Sequence, residues 1–269
     1  METFTYFVPV DFTECCYDTL QYTAALARNS GGSVKLCHVV DLEEIPESDN
    51  PVVVSFAIDR HLQQAQKKMK SLREIILMAG ISVEDEIVMG SIRIELIKQI
   101  ESARPSVIVI GRDSNKQLTS HSLLTYLTRN TTSPVLVVPQ AYNSKLSGRA
   151  ILTLDMDFAK TARFSALSEV TERLLRFFSV LEIRPLYFSN GRDAVDWINT
   201  MRSKGGVKPN FLADGNNDRS NELLDFIRDN KIDLLCIREK RNIFNKFFNQ
   251  NIAKHLPSQV EGPVLVITL

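Results

Sequence analysis

SVIVIGRDSNKQLTSHSLLTYLTRNTTSPVLVVP, residues 106–139, and IDLLCIREKRNIFNKFFNQNIAKHLPSQVEGPVLVIT, residues 232–268, close the two halves of this chain in the same way. Each runs from an apolar strand through a polar loop and a helical stretch into a second apolar strand, and PVLVV against PVLVI is almost literal. A repeat with a period near half the chain means a duplicated domain, since solenoid repeats run about 20 to 50 residues. The 269 residues then hold two units, each long enough to bury a core without disulfides or metals.

Upstream of that ending, the first half alternates strand and helix. Thr5 to Val10 reads as an apolar strand, followed by Asp11 and Thr13, either able to cap the next helix. Leu20, Ala24, Ala25 and Ala27 share one helical face, and Asn29 to Gly32 stops that helix. Val34 to Val40 is a second strand, His61 to Met78 a helix ended by Gly80, and Ser82 to Val88 a third strand. Gly90 and Ser91 open a helix through Ile100, Val107 to Ile110 is a fourth strand, Leu123 to Arg129 a helix and Val135 to Val138 a fifth strand. The same succession returns from Ala150, with helices expected over 162–178, 194–201, 221–229 and 248–256, after a small, polar stretch at 140–149 that suits a linker. The expected domains are therefore 1–140 and 149–269.

Strands separated by helices call for parallel neighbours, right-handed crossovers and helices on both faces of the sheet. The uninterrupted apolar runs of the fourth and fifth strands agree, because a strand covered on both faces does not alternate. The expected fold is α/β, two tandem doubly wound domains, each an open five-stranded parallel sheet.

Composition narrows the function classes. Lysine plus arginine and aspartate plus glutamate number 32 each, so no long-range field draws in nucleic acid or an anionic membrane. The cysteines, Cys15, Cys16, Cys37 and Cys236, have no zinc or disulfide spacing, which points to a reducing, cytoplasmic setting. METFTYFVPVDF lacks the pattern of a secretion signal, and VVVSFAI at 52–58 is too short to cross a bilayer.

VPVDF at 8–12, LCHVV at 36–40, the VIVIG strand ending at Gly111 and SPVLVVP at 133–139 together resemble the universal stress protein family, here in a tandem form. The resemblance spans nearly all of 1–140 and is weaker over 149–269, where it rests on element order, DLLCI and GPVLVI. It implies a sheet order of 3-2-1-4-5 and pairing of two such units through their last strands, which a tandem chain supplies within itself as a pseudo-dimer. Open parallel sheets bind ligands beyond the carboxyl ends of the strands, where the strand order reverses. In that order the crevice lies between the first and fourth strands, with Asp11 and Gly111 on its two sides.

ATP-binding members of the family carry a loop after the fourth strand with glycine, two residues, glycine, nine residues, then glycine and serine or threonine. Glycines there let main-chain amides approach phosphate oxygens, and the helix N-terminus adds donors. In this chain Gly111 matches the first glycine and Ser114 stands where the second belongs. Strict counting puts Leu124 and Thr125 at the closing pair, whereas counting back from Pro134 puts His121 and Ser122 there, an alignment that leaves TSHS as a cap. The resemblance thus carries cofactor-binding positions onto Pro9, Val10, Asp11, Val40, Gly111, Ser114, His121 and Ser122, with ATP or another adenine nucleotide as ligand of the first domain. In the second half Arg238, Arg241, Gln250 and Asn251 occupy the loop positions, and an arginine at the strand end fills space a phosphate needs.

Each of these residues has a structural alternative. Asp11 and Ser122 also read as helix caps, His121 has no partner at metal-ligand spacing, and His38 reads as a hydrogen-bonded core residue. Arg238, Lys240 and Arg241 read as a solvated loop, and Phe244, Phe247 and Phe248 as core cover or a contact surface. No nucleophile elbow, P-loop lysine or zinc-protease motif is present. The sequence therefore points to a non-catalytic stress-response binding protein with a degenerate nucleotide site, the alternative being an ATP-binding member with slow hydrolysis. A homodimer and a protein partner remain open, with no nucleic-acid or membrane partner and no metal.

Overall fold

The computed structural model describes residues 4–45, 49–113, 117–142, 149–155, 180–187, 208–209, 229, 234–239 and 262–268. The chain falls into two compact units, Met1–Val135 and Leu136–Leu269.

In the first half the elements are β1 (Thr5–Pro9), α1 (Glu14–Ser30), β2 (Ser33–Asp41), α2 (Pro51–Met78), β3 (Val83–Gly90), α3 (Ile92–Ala103), β4 (Val107–Arg112), α4 (Gln117–Asn130) and β5 (Val135–Pro139). The sheet order is β3-β2-β1-β4-β5, and the pairings β3–β2, β2–β1 and β1–β4 are parallel. Strand β1 sits centrally, with Tyr6 opposite both Val34 of β2 and Val107 of β4. Its neighbour β4 is buried throughout Val107–Ile110, as an uninterrupted apolar run requires. The edge strand β3 differs: Glu84 and Asp85 are exposed or half-exposed, and Lys35–Glu86 at 3.0 Å and Arg73–Asp85 at 3.4 Å tie its charges to β2 and α2. Charges on an outer strand discourage pairing with another chain.

Helix boundaries follow capping chemistry more closely than hydrophobic spacing. Gly31, in the left-handed region at φ 62°, ends α1. The buried face of α1 is Cys15, Cys16, Thr19, Leu20, Tyr22, Thr23, Leu26 and Ala27, whereas Ala24 and Ala25 are half-buried beside it. Helix α2 begins ten residues before the expected His61, at Pro51, where the Asn50 side chain accepts from the Val52 amide and proline occupies the first turn. VVVSFAI lies inside it, with Val52, Val53 and Phe56 exposed, while Ala65, Met69, Leu72 and Ile76 pack into the core. Helix α4 begins at Gln117, so TSHS is helical rather than a cap, because polar side chains are tolerated in its early turns and the periodic apolar residues start only later.

In the second half β6 (Arg149–Asp155) pairs in parallel with β7 (Val180–Tyr187) and with β9 (Leu234–Glu239), β9 with β10 (Val264–Thr268), and β7 with the two-residue β8 (Lys208–Pro209). The helices expected over 162–178, 194–201 and 248–256, the residues Arg241, Gln250 and Asn251, and the phenylalanines at 244, 247 and 248 lie outside the described residues; of Arg238 only the backbone is described. No helix among the described residues is long and apolar enough to cross a membrane.

Cys15, Cys16, Cys37 and Tyr6 are all buried in the first half. Burial pushes the Cys15 thiol from 9.0 up to about 11 and Cys16 and Cys37 up to about 12, and it raises the Tyr6 phenol as well. A raised folded-state pKa means that the native protein keeps a proton the unfolded chain gives up, so these groups stabilise fully below the unfolded value and lose that contribution as the pH climbs towards the folded one. The urea midpoint of this half is expected to fall continuously from about pH 9 to about pH 11. A midpoint that stays level over that interval would contradict the burial of these groups.

Candidate functional site

Beyond the carboxyl ends of β1, β2 and β4 lies an open cleft of about 860 Å³, at the point where the strand order reverses. It is within the range of about 300–1,000 Å³ common for small-molecule sites. Its wall begins with Pro9 and Val10 as β1 runs out. The Val10 amide donates to the Cys37 carbonyl at 2.8 Å, and the Val10 carbonyl accepts from His38 Nδ1 at 2.7 Å. A carbonyl can only accept, so neutral His38 carries its proton on Nδ1. Both main-chain groups of Val10 are thereby fixed to β2.

The chain then turns sharply into α1. Asp11 Oδ1 accepts from the Thr13 amide at 3.0 Å and from Thr13 Oγ1 at 2.7 Å, and Thr13 Oγ1 accepts from the Cys16 amide at 3.3 Å. Thr13 is therefore the helix cap and Asp11 the group that orients it, so the two residues that each read as a cap divide the task. Between them Phe12 takes φ 59°, left-handed backbone that costs a residue with a Cβ about 1–2 kcal/mol. Its ring packs on the His38 imidazole with centroids 4.4 Å apart, and Lys68 Nζ of α2 lies 5.3 Å from its centroid. Backbone strain held in place at a cleft is a recurrent mark of binding sites.

Gly111 forms the opposite side. A Cβ there would lie 2.7 Å from Cys15 Sγ and 2.7 Å from Thr19 Oγ1, so the missing side chain is what lets α1 close on β4. This packing accounts for glycine at 111 independently of any phosphate, although the residue still borders the cleft. Asp113 follows on the same wall, and Ser122, the sixth residue of α4, reaches the cleft from inside the helix. That position is past the N-terminal amides, so Ser122 does not cap.

Of the positions carried over from the sequence, Pro9, Val10, Asp11, Val40, Gly111 and Ser122 all border this one cleft. Ser114 lies outside the described residues, and of His121 only the backbone within α4 is described. Sequence reasoning passed over Phe12, Asp41, Glu43, Lys68, Arg93 and Asp113, which also line it. It placed His38 in the core, whereas this side chain is half-buried and faces the cleft. A signal existed for His38, a polar residue interrupting an apolar strand near its carboxyl end. Lys68 and Arg93 had none, since they come from α2 and α3 and only folding brings them here. Among the described residues, no three of histidine, cysteine, aspartate and glutamate stand close enough to hold a metal ion.

The two explanations of Gly111 differ in outcome. Gly111→Ala is expected to lower unfolding stability by about 1–3 kcal/mol through overpacking, with part of the loss recovered in a Cys15→Ala background. Unchanged stability in Gly111→Ala would show that α1 does not rest on this position.

Residues 6–139 match the family model described as "Universal stress protein family". A search of curated proteins returned no match. Among solved structures, the chain is similar to a universal stress protein from Archaeoglobus fulgidus DSM 4304, with TM-score 0.75 and 16% identity over 100% of this chain and 99% of that one. It is also similar to a putative universal stress protein from Pseudomonas aeruginosa UCBPP-PA14, with TM-score 0.58 and 11% identity over 98% of this chain and 92% of that one. At these identities the structural likenesses speak to the fold alone. The matched sequence span, the α/β sheet and the cleft at its reversal of strand order together place residues 6–139 in the universal stress protein family.

Proposed function

We propose that this chain is a stress-response binding protein that works by taking up a small ligand without turning it over, and that residues 1–140 hold its site. The observation that carries this reading is the open cleft of about 860 Å³ between the ends of β1 and β4, lined by six of the positions that the family resemblance implies. The ligand class it supports is an adenine-bearing small molecule, nucleoside or nucleotide, in a site whose phosphate-binding loop has kept Gly111 and lost the other two glycines.

Non-catalytic action is supported by the side chains present. A nucleophile needs an adjacent base or a lowered pKa. Cys15, which borders the cleft, has its thiol pushed up to about 11 by burial and then by the nearby Asp11 and Asp113, so at neutral pH it stays protonated. His38 Nδ1 is engaged by the Val10 carbonyl and serves the fold. The competing reading, an ATP-binding member with slow hydrolysis, draws on the same open cleft.

For the rest of the chain, we read residues 149–269 as a second, divergent copy of the domain, paired with the first through their last strands. The cytoplasm is the compartment that suits buried, unpaired thiols at Cys15, Cys16 and Cys37. A homodimer or a protein partner fits this regulatory role.

Calorimetric titration with adenine compounds, run beside a phosphate-release assay with Mg-ATP, separates the readings. Saturable heat with at least one adenine compound and no phosphate release above buffer is the expected result. Sustained release beyond one equivalent would establish the hydrolytic reading, and no heat with any adenine compound would remove the ligand site.

A further inference from the structure

Charge is unevenly placed around the cleft. Its carboxylates sit at the strand ends: Asp11 after β1, Asp41 and Glu43 at the end of β2, and Asp113 after β4. Its lysine and arginine, Lys68 and Arg93, come instead from α2 and α3. Among the described residues, and taking histidines as neutral, four negative charges face two positive ones. Arg112, next to Asp113, is half-buried and is not among the residues bordering the cleft.

Position matters more than the sum. Asp113 stands two residues beyond Gly111, in the stretch where a phosphate cradle needs main-chain amides and no negative charge. After burial, the largest causes that raise the Cys15 thiol are the fields of Asp11 and Asp113, with Asp18 adding less. Cys15 and Gly111 both border the cleft, so a group lying beside them is within reach of the same two carboxylates. A phosphate placed there meets repulsion from both, with the helpful glycines gone.

The other end of the cleft has the opposite preference. The Phe12 ring, held in left-handed backbone at φ 59° and backed by His38, takes the Lys68 ammonium at 5.3 Å from its centroid. A π face that attracts an ammonium also attracts the N–H edge or positive charge of a planar heterocycle.

Resting on the reading of this cleft as a ligand site, we infer that it takes an uncharged or cationic planar heterocycle of nucleoside size and rejects phosphorylated forms of the same molecule. In this arrangement Phe12 and His38 meet the ring. Asp11 accepts from hydroxyl or amino groups, and Asp113 sets the bias against phosphate.

The test is calorimetry on the full chain with adenosine and with magnesium-free ATP as probes. Adenosine is expected to bind at least about tenfold more tightly than ATP at low salt. That ratio should shrink as salt rises from about 0.02 M to about 0.5 M, since screening relieves repulsion. Asp113→Asn should shrink it as well, and Glu43→Gln should move it the same way by less. Wild-type protein that binds ATP as tightly as adenosine would overturn the inference, as would a ratio unmoved by salt and by both substitutions. Heat with neither probe would remove the ligand-site reading and this inference together, whereas tight ATP binding removes only the inference.

Discussion

Strand β1 is paired on both sides, to β2 and to β4, and the cleft exists because the connections leaving these neighbours pass to different faces of the sheet. The chain leaving β1 turns into α1, and α1 packs against β4 where Gly111 presents no side chain. That packing closes the floor of the cleft. Above it the space stays open, bordered by Asp11, Phe12 and Asp113. The positions of Asp11, Phe12 and Asp113 all follow from this one reversal of strand order.

Local chemistry then makes the turn after β1 rigid. Asp11 orients Thr13, Thr13 caps α1, and His38 and Cys37 hold Val10 from the side of β2. Removing an N-cap typically costs about 1 kcal/mol, similar in size to the strain at Phe12, so the turn is a balance of comparable effects. A phenylalanine kept at φ 59°, where glycine or asparagine would rest without strain, indicates that its ring is worth the cost. Its interactions with His38 and Lys68 show where that worth lies.

Much of the first half was legible in the sequence because its strongest signals are local. The apolar run at Val107–Ile110 and the Asp11–Thr13 turn follow from burial on two faces and from side-chain capping. The start of α2 was missed for a physical reason: Val52, Val53 and Phe56 are exposed, so hydrophobic spacing says nothing about them, although Asn50 and Pro51 form a start signal. TSHS misled in a related way, since serine and threonine favour caps yet here continue α4. The site was half legible. Residues on the strand ends could be carried over by resemblance, whereas Lys68 and Arg93 reach the cleft only through helix packing. Gly111 was found for one reason and is required for another.

The central claim is that the reversal between β1 and β4 holds a cleft open, and that Phe12 and His38 meet the ring of the ligand there. A crystal structure of the full chain grown with adenosine tests this most directly. The account predicts the base against Phe12 and His38, with the sugar between Asp11 and Gly111. A structure in which Phe12 or Leu123 fills the space beside Gly111, with adenosine bound elsewhere on the chain, would contradict it.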